Sequence, residues 1–320
     1  MGKKKTIIIS ITTVICCWIF NIGYFYMNKL KAPVFIENYK EIEVYESLPS
    51  KEEMSQYEDG STFEGLTKEE KIKQLTQVRF PNFSFFYITD NNEDEIRQVQ
   101  FPELGNMNID VFPQLVNSYN NHNLMSIDIS DTTGSGLEFK DKILAELKEG
   151  KNKITKMTYY TRTGKRYEVN LGEIYFIGPF KNTEDFSICS KCGSGGSTDG
   201  TGYAYFNANR DCYITSIKSN IRKEIDEIFE INMNSTNINK LNFPYKVKKD
   251  VNIKIDYVIK KESYKSIQGN ITLKMEKGEI KQEVPMDLEM NSIGSNIRLD
   301  SKFVKAIKEG GGQAHEVGTK

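Results

Sequence analysis

Residues Thr6 to Met27 read TIIISITTVICCWIFNIGYFYM, 22 consecutive positions without a charged side chain. At about 1.5 Å per residue, a helix over this stretch is about 33 Å long, enough to cross a hydrocarbon core of about 30 Å. Lys3, Lys4 and Lys5 precede it, and Lys29 and Lys31 follow it. With the amino terminus added, the basic excess lies on the N-terminal side, which predicts a cytoplasmic N-terminus. Tyr24, Phe25 and Tyr26 suit an aromatic belt at the outer interface. A cleaved signal peptide needs a small-x-small site, whereas the nearby Ala32 is followed by Pro33. A lipoprotein signal needs a small residue before its cysteine, and Ile15 precedes Cys16. The opening Met-Gly-Lys-Lys-Lys-Thr matches a myristoylation pattern, which carries no meaning in a bacterium. The expectation is an uncleaved, single-pass signal-anchor in the cell membrane. Residues 1–5 form a cytoplasmic tip, 6–27 lie in the bilayer, and the rest is extracytoplasmic.

About 290 residues remain, one large domain or two ordinary ones. Aromatic residues make up 11% of the chain, which argues against wholesale disorder. The formal charge of −1 does not mark a nucleic-acid binder. There are 36 Lys against 7 Arg, 27 Asn and 6 Ala. That bias is what an AT-rich, often bacterial, genome produces, so abundant Lys and Asn carry little functional information. Only two histidines occur, His122 and His315, which disfavours a His-based triad or a multi-histidine metal site.

The pattern along the chain predicts an α+β fold with a β-rich ectodomain. Residues 28–40 read as a stalk. Glu41–Glu46 alternates as a strand. Thr67-Lys-Glu-Glu70 is a capping box opening a helix to about Val78. Phe83–Thr89 and Glu95–Phe101 flank a polar turn as a hairpin. Leu124–Ser130 is a second strand, Phe139–Lys148 a helix striped by Phe139, Ile143, Leu144 and Leu147, and Ile154–Tyr160 with Arg166–Leu171 a second hairpin. This suggests two strand–helix–hairpin units within a first part, 41–186. Residues 187–202, rich in Gly and Ser, read as a loop or linker. The second part, 203–309, begins with a strand at Tyr203–Phe206. Ile214, Ile217, Ile221, Ile225 and Ile228 then predict one long amphipathic helix from about Cys212 to Ile231. Strands around 251–259, 271–275 and 280–290 predict an antiparallel meander, with Pro285 favouring an edge. Ser301 is expected to cap a last helix, and 310–320 to be a disordered tail. Lys240–Lys281 carries eleven Lys and five acidic residues, read as the wet face of the sheet.

Three constellations touch chemistry. Cys189, Cys192 and Cys212 are the cysteines outside the apolar segment, and in an oxidising exterior two of them form a disulfide. The same Cys189-x-x-Cys192 spacing supports an alternative, a thiol–disulfide oxidoreductase, although such a pair ordinarily opens a helix after a strand. One Cys-x-x-Cys-Gly knuckle without a second pair is a poor zinc ribbon. Asp128-Ile-Ser130-Asp-Thr132 fits the D-x-S-x-T pattern by which a von Willebrand A-type domain holds a divalent metal. That resemblance implies a metal-dependent adhesion site at Asp128, Ser130 and Thr132. Asp90, Asn92 and Asp94 have calcium-loop spacing, but Glu95 stands where that loop needs Gly. The leading expectation is a bacterial envelope protein that binds, senses or assembles without catalysis. It needs no cofactor, contacts the bilayer through residues 6–27, and engages a protein partner rather than nucleic acid.

Overall fold

The computed structural model describes residues 3–47, 67, 77–80, 82–90, 95–105, 107–130, 136–150, 152–181, 188–197, 200–260, 263–287 and 299–317. Four helices occur among them: α1 (Lys3–Asn28), α2 (Gly136–Lys148), α3 (Arg222–Ile228) and α4 (Ser301–Gly310). The strands follow in chain order. The first ten are β1 (Val34–Phe35), β2 (Asn38–Ser47), β3 (Gln77–Arg79), β4 (Phe83–Thr89), β5 (Ile96–Gln100), β6 (Ile109–Asp110), β7 (Gln114–Tyr119), β8 (His122–Ile129), β9 (Lys153–Thr161) and β10 (Arg166–Lys181). Then come β11 (Cys189–Gly196), β12 (Thr201–Ala208), β13 (Cys212–Lys218), β14 (Phe229–Met233), β15 (Thr236–Asn237) and β16 (Tyr245–Val247). The last are β17 (Asn252–Ile259), β18 (Ser266–Gln268), β19 (Asn270–Lys277), β20 (Ile280–Asp287), β21 (Gly312–Gln313) and β22 (His315–Glu316). The fold is therefore α+β and mostly β.

The strands form four sheets. One has the order β21-β1-β4-β8-β7. The second runs β18-β2-β10-β9-β5-β6, with β3 also on β2 and β22 also on β10. The third is β11-β12-β17-β14-β15, and the fourth is β16-β13-β19-β20. Pairing is antiparallel except where β2 lies parallel to both β10 and β18. Between the first two sheets lies an aromatic-rich core. Phe83 packs edge-on to Phe85 at 5.5 Å and to Phe176 at 6.0 Å, the arrangement that ring quadrupoles favour. A second core joins the third and fourth sheets, with Phe206, Ile253 and Ile255 against Ile214, Leu273 and Met275. A third, smaller one forms where Phe303, Val304 and Ile307 of α4 cover Ile36, Ile88 and Leu124.

Strand β2 is the hinge of this arrangement. Ile42 and Val44 point into the first core, while Tyr39 and its neighbour Tyr175 on β10 lean on the second. Opposite Asn38, Gly172 has φ +98°, and a Cβ there would lie 2.3 Å from the Asn38 carbonyl oxygen. Only glycine lets these two backbones approach so closely.

Several expectations are corrected. The supposed long helix over Cys212–Ile231 is β13, a turn, the seven-residue α3, and β14. Its isoleucines step at helical spacing, yet Cys-Tyr-Ile-Thr-Ser-Ile is β-branched and aromatic, and Ser219 turns the chain, its Oγ accepting from the Ile221 amide at 3.3 Å. Of that stripe, Ile214, Ile221 and Ile225 are wholly buried and Ile228 nearly so, while Ile217 is half-buried. The Gly/Ser-rich segment is not a loop, because residues 189–196 form β11 at a sheet edge. Its glycines make room for rings: a Cβ on Gly195 would come within 3.0 Å of the Tyr203 hydroxyl.

The first hairpin does not form. β4 pairs with β1 and β8, while β5 pairs with β9 and β6, so the chain crosses between sheets after Asp90. Strand–helix–hairpin units are thus not repeated; the second, β8–α2–β9–β10, is present. The expected C-terminal meander is split, with β17 in the third sheet and the β19–β20 hairpin in the fourth. Pro285 does lie on an edge strand. The stalk is shorter than 28–40, since Phe35 and Ile36 are fully buried. Asp300, not Ser301, caps α4, accepting from the Phe303 amide at 2.8 Å. The tail pairs: β21 with β1 and β22 with β10. The helix expected to begin at Thr67 lies outside the described residues, except that 77–79 is β3. Among the described residues, no helix is long and apolar enough to cross a membrane.

Candidate functional site

The β2 sequence alternates, but both of its faces are covered, so its carboxylates do not meet water as an exposed strand's would. Glu41 is 2% exposed. Its Oε2 accepts from Ser219 Oγ at 2.8 Å and from the Asn270 amide at 2.9 Å, and its Oε1 accepts from the Asn220 amide. Asn270 Nδ2 also donates to the Glu41 carbonyl at 3.4 Å. Burial raises the Glu41 pKa, and the donors from Asn220, Asn270 and Ser219 pull it part of the way back. Ser219 and Asn220 sit in the β13–α3 turn, and Asn270 opens β19. One carboxylate therefore fastens two segments of the second core region to strand β2.

Glu41 also lines a cleft of about 750 Å³. Phe176 and Ile177 of β10 form one wall and Ile217 and Lys218 of β13 another, with Arg222 and Lys274 reaching in. Two of those cations are engaged. Arg222 Nε lies 2.8 Å from Asp226 Oδ2 and its Nη2 donates to Asn239, and Lys274 pairs with Glu283 across β19 and β20. The cleft thus offers mixed charge over an apolar floor, a surface for holding a polar ligand rather than a set of reacting groups.

A second buried charge lies on the other face of β2. Lys40 is 3% exposed, and its Nζ donates to the Ser84 carbonyl at 2.7 Å. β1 reaches only as far along β4 as Tyr87, with Ile36 N then serving the Phe86 carbonyl. Ser84 is the next carbonyl on that edge, and the lysine supplies the donor that no strand provides. Burial pulls Lys40 down to about 8, with the nearby Asp128 opposing.

The sequence candidates are placed as follows. Asp128 lies exposed on β8, where Ser84 Oγ donates to its Oδ1 at 2.5 Å. Ser130 follows β8, and Thr132 lies outside the described residues. Among the described residues, no group of three or more His, Cys, Asp or Glu is placed to hold a metal ion. Cys189 and Cys212 are both buried in the second core, while Cys192 is exposed at a β-bulge between Lys191 and Gly193; all three are free thiols. Gln282 of β20 clamps Cys189, accepting from its amide at 3.0 Å and donating to its carbonyl at 3.1 Å. Burial, then the neighbouring Cys212 and Cys192, push the Cys189 thiol up to about 12. Asp90, set aside as a calcium ligand, instead binds His122 Nδ1 and the Leu30 amide, fastening the end of α1 to the body.

The residues that sequence reasoning missed are Glu41, Ser219, Asn220, Asn270 and Lys40. Their one signal was a strand bearing Lys-Glu-Ile-Glu in a chain whose surface is already rich in both. No protein-family model matches the chain, and none of the curated proteins is similar to it.

Proposed function

We propose that this is a single-pass membrane protein of a bacterial envelope, N-terminus inside, whose ectodomain binds, senses or assembles without catalysis. The observation that carries the reading is α1. It is 26 residues long, and its Ile9, Val14, Ile15, Trp18, Ile19 and Phe20 are exposed at 52–79%. Exposed apolar side chains in such a row are what lipid would cover, since water disfavours them. Five residues later the chain enters β1, so the body sits close against the bilayer surface and has little reach away from it.

The non-catalytic part is supported by how the titratable groups are committed. Glu41 is saturated by three donors, Lys40 serves a carbonyl, and the Cys189 thiol is shifted away from the thiolate that thiol exchange requires. These favour the binding reading over the oxidoreductase one. The cleft beneath Lys218 and Arg222 is the surface where a ligand or partner segment fits. Carbonate extraction of membranes carrying the full chain tests the anchor. Retention in the pellet at full length is expected, and a soluble form beginning near Lys31 would refute it.

A further inference from the structure

A smaller cavity, of about 300 Å³, lies where α1 meets the body. Tyr24 of α1 borders it on one side and Lys305 and Lys308 of α4 on the other, with Asn120, Asn121 and His122 of the β7–β8 turn between them. If Thr6 lies at the inner boundary of the bilayer, Tyr24 is about 27 Å further along the helix, at the depth of the outer headgroups. The cavity therefore opens where lipid phosphates are.

The charges around it are complementary to phosphate. α4 turns Phe303, Val304 and Ile307 into the protein, which leaves Lys302 and Lys305 exposed and Lys308 half-buried on its other side. Lys29 and Lys31, at the foot of the body, are exposed as well. Among the described residues, the acids around this region are engaged. Glu309 lies 3.9 Å from Lys305, Asp300 caps α4, and Asp90 is occupied by His122 and the Leu30 amide. The cavity lining itself therefore carries two lysines, Lys305 and Lys308, against the single carboxylate of Glu309.

We propose that this cavity holds the headgroup of an anionic phospholipid, its phosphate between Lys305 and Lys308 and its polar remainder against Asn120 and Asn121. The proposal rests on the anchor reading, which sets the depth of the site. Its role is to fix the body's orientation on the membrane, because the headgroup bridges α1 and α4.

The test uses the full chain in nanodiscs of phosphatidylcholine alone or mixed with phosphatidylglycerol, with retained lipid counted by native mass spectrometry. Preferential retention of phosphatidylglycerol is expected. Each lysine should contribute about 5-fold to that preference, so Lys305→Gln with Lys308→Gln should remove about 25-fold, and the double Arg variant should keep it. Equal retention of the two lipids, or an unchanged preference in the double Gln variant, would overturn the proposal. Glycerol phosphate at millimolar concentration, added in detergent, should not displace the lipid; displacement would assign the site to a free phosphate instead. Release of the chain by carbonate would sink the anchor and this site together. A carbonate-resistant chain without lipid preference would sink this site alone.

Discussion

Replacing Lys40 by Met isolates the cost of the buried charge on β2. The folded state lowers this lysine from its ordinary 10.5 to about 8, chiefly through desolvation, while the unfolded chain keeps the ordinary value. Between these two values the unfolded state holds a proton that the folded state has lost. Stability from this group therefore rises as pH rises from about 8 to about 10.5. Below pH 8 the full cost of charging is present, about 3 kcal/mol for a shift of this size. Lys40→Met removes that cost and orphans the Ser84 carbonyl, which costs about 1–3 kcal/mol. At pH 7 the two terms nearly cancel, and the variant should lie within about 2 kcal/mol of the parent. At pH 9.5 most of the parent's cost has gone while the variant's has not. The parent should then gain about 2 kcal/mol on the variant relative to pH 7. Urea unfolding of both full-length proteins in the same detergent, followed by near-ultraviolet circular dichroism, reads this difference. Other titrating groups, including Tyr39 and Tyr87, whose pKa values burial raises, cancel between the two proteins. A difference that changes by less than about 0.5 kcal/mol across that range would mean Lys40 is solvated and the account of β2 is wrong.

Other outcomes follow from the same packing. Glu41→Gln puts an amide NH₂ against donors from Ser219, Asn220 and Asn270, and should cost about 1–3 kcal/mol by thermal unfolding. Gly172→Ala forces a side chain onto the Asn38 carbonyl at positive φ and should cost more than about 2 kcal/mol, with a matching fall in expression. Ile221→Ala, at a fully buried position, should cost about 2–4 kcal/mol; a loss under about 0.5 kcal/mol would place that turn at the surface. In peptide maps run without reductant, alkylation should reach Cys192 first, because Cys189 and Cys212 are enclosed.

Burial was more legible in the sequence than topology. Ile214, Ile221, Ile225 and Ile228 are core residues as their spacing indicated, with Ile217 half-buried, but the spacing is equally served by a strand, a turn and one short helical segment. Side-chain identity told inside from outside, while Ser219-Asn220 decided the backbone. Strands β4, β8, β9 and β10 were visible because alternation is local. Their partners were not, since nothing local signals that β4 and β5 enter different sheets. The Gly-rich segment was misread because its strand character depends on Tyr203, eight residues on, lying over Gly195. The site was least legible. Glu41 and Lys40 look like any charged alternation in a Lys-rich chain, and only the packing of β4 on one face of β2, and of the 219–220 turn and β19 on the other, buries them. Tertiary partners separated by 44 to 229 positions, such as Ser84 and Asn270, leave no mark on local pattern.

The central claim is that α1 crosses the membrane with the body outside. Protease added to intact, wall-stripped cells expressing the chain with an N-terminal tag tests it most directly. The account expects the body to be digested while a tagged fragment of about 30 residues survives until the membrane is dissolved. A full-length chain that resists protease until lysis, or a tag lost from intact cells, would contradict it.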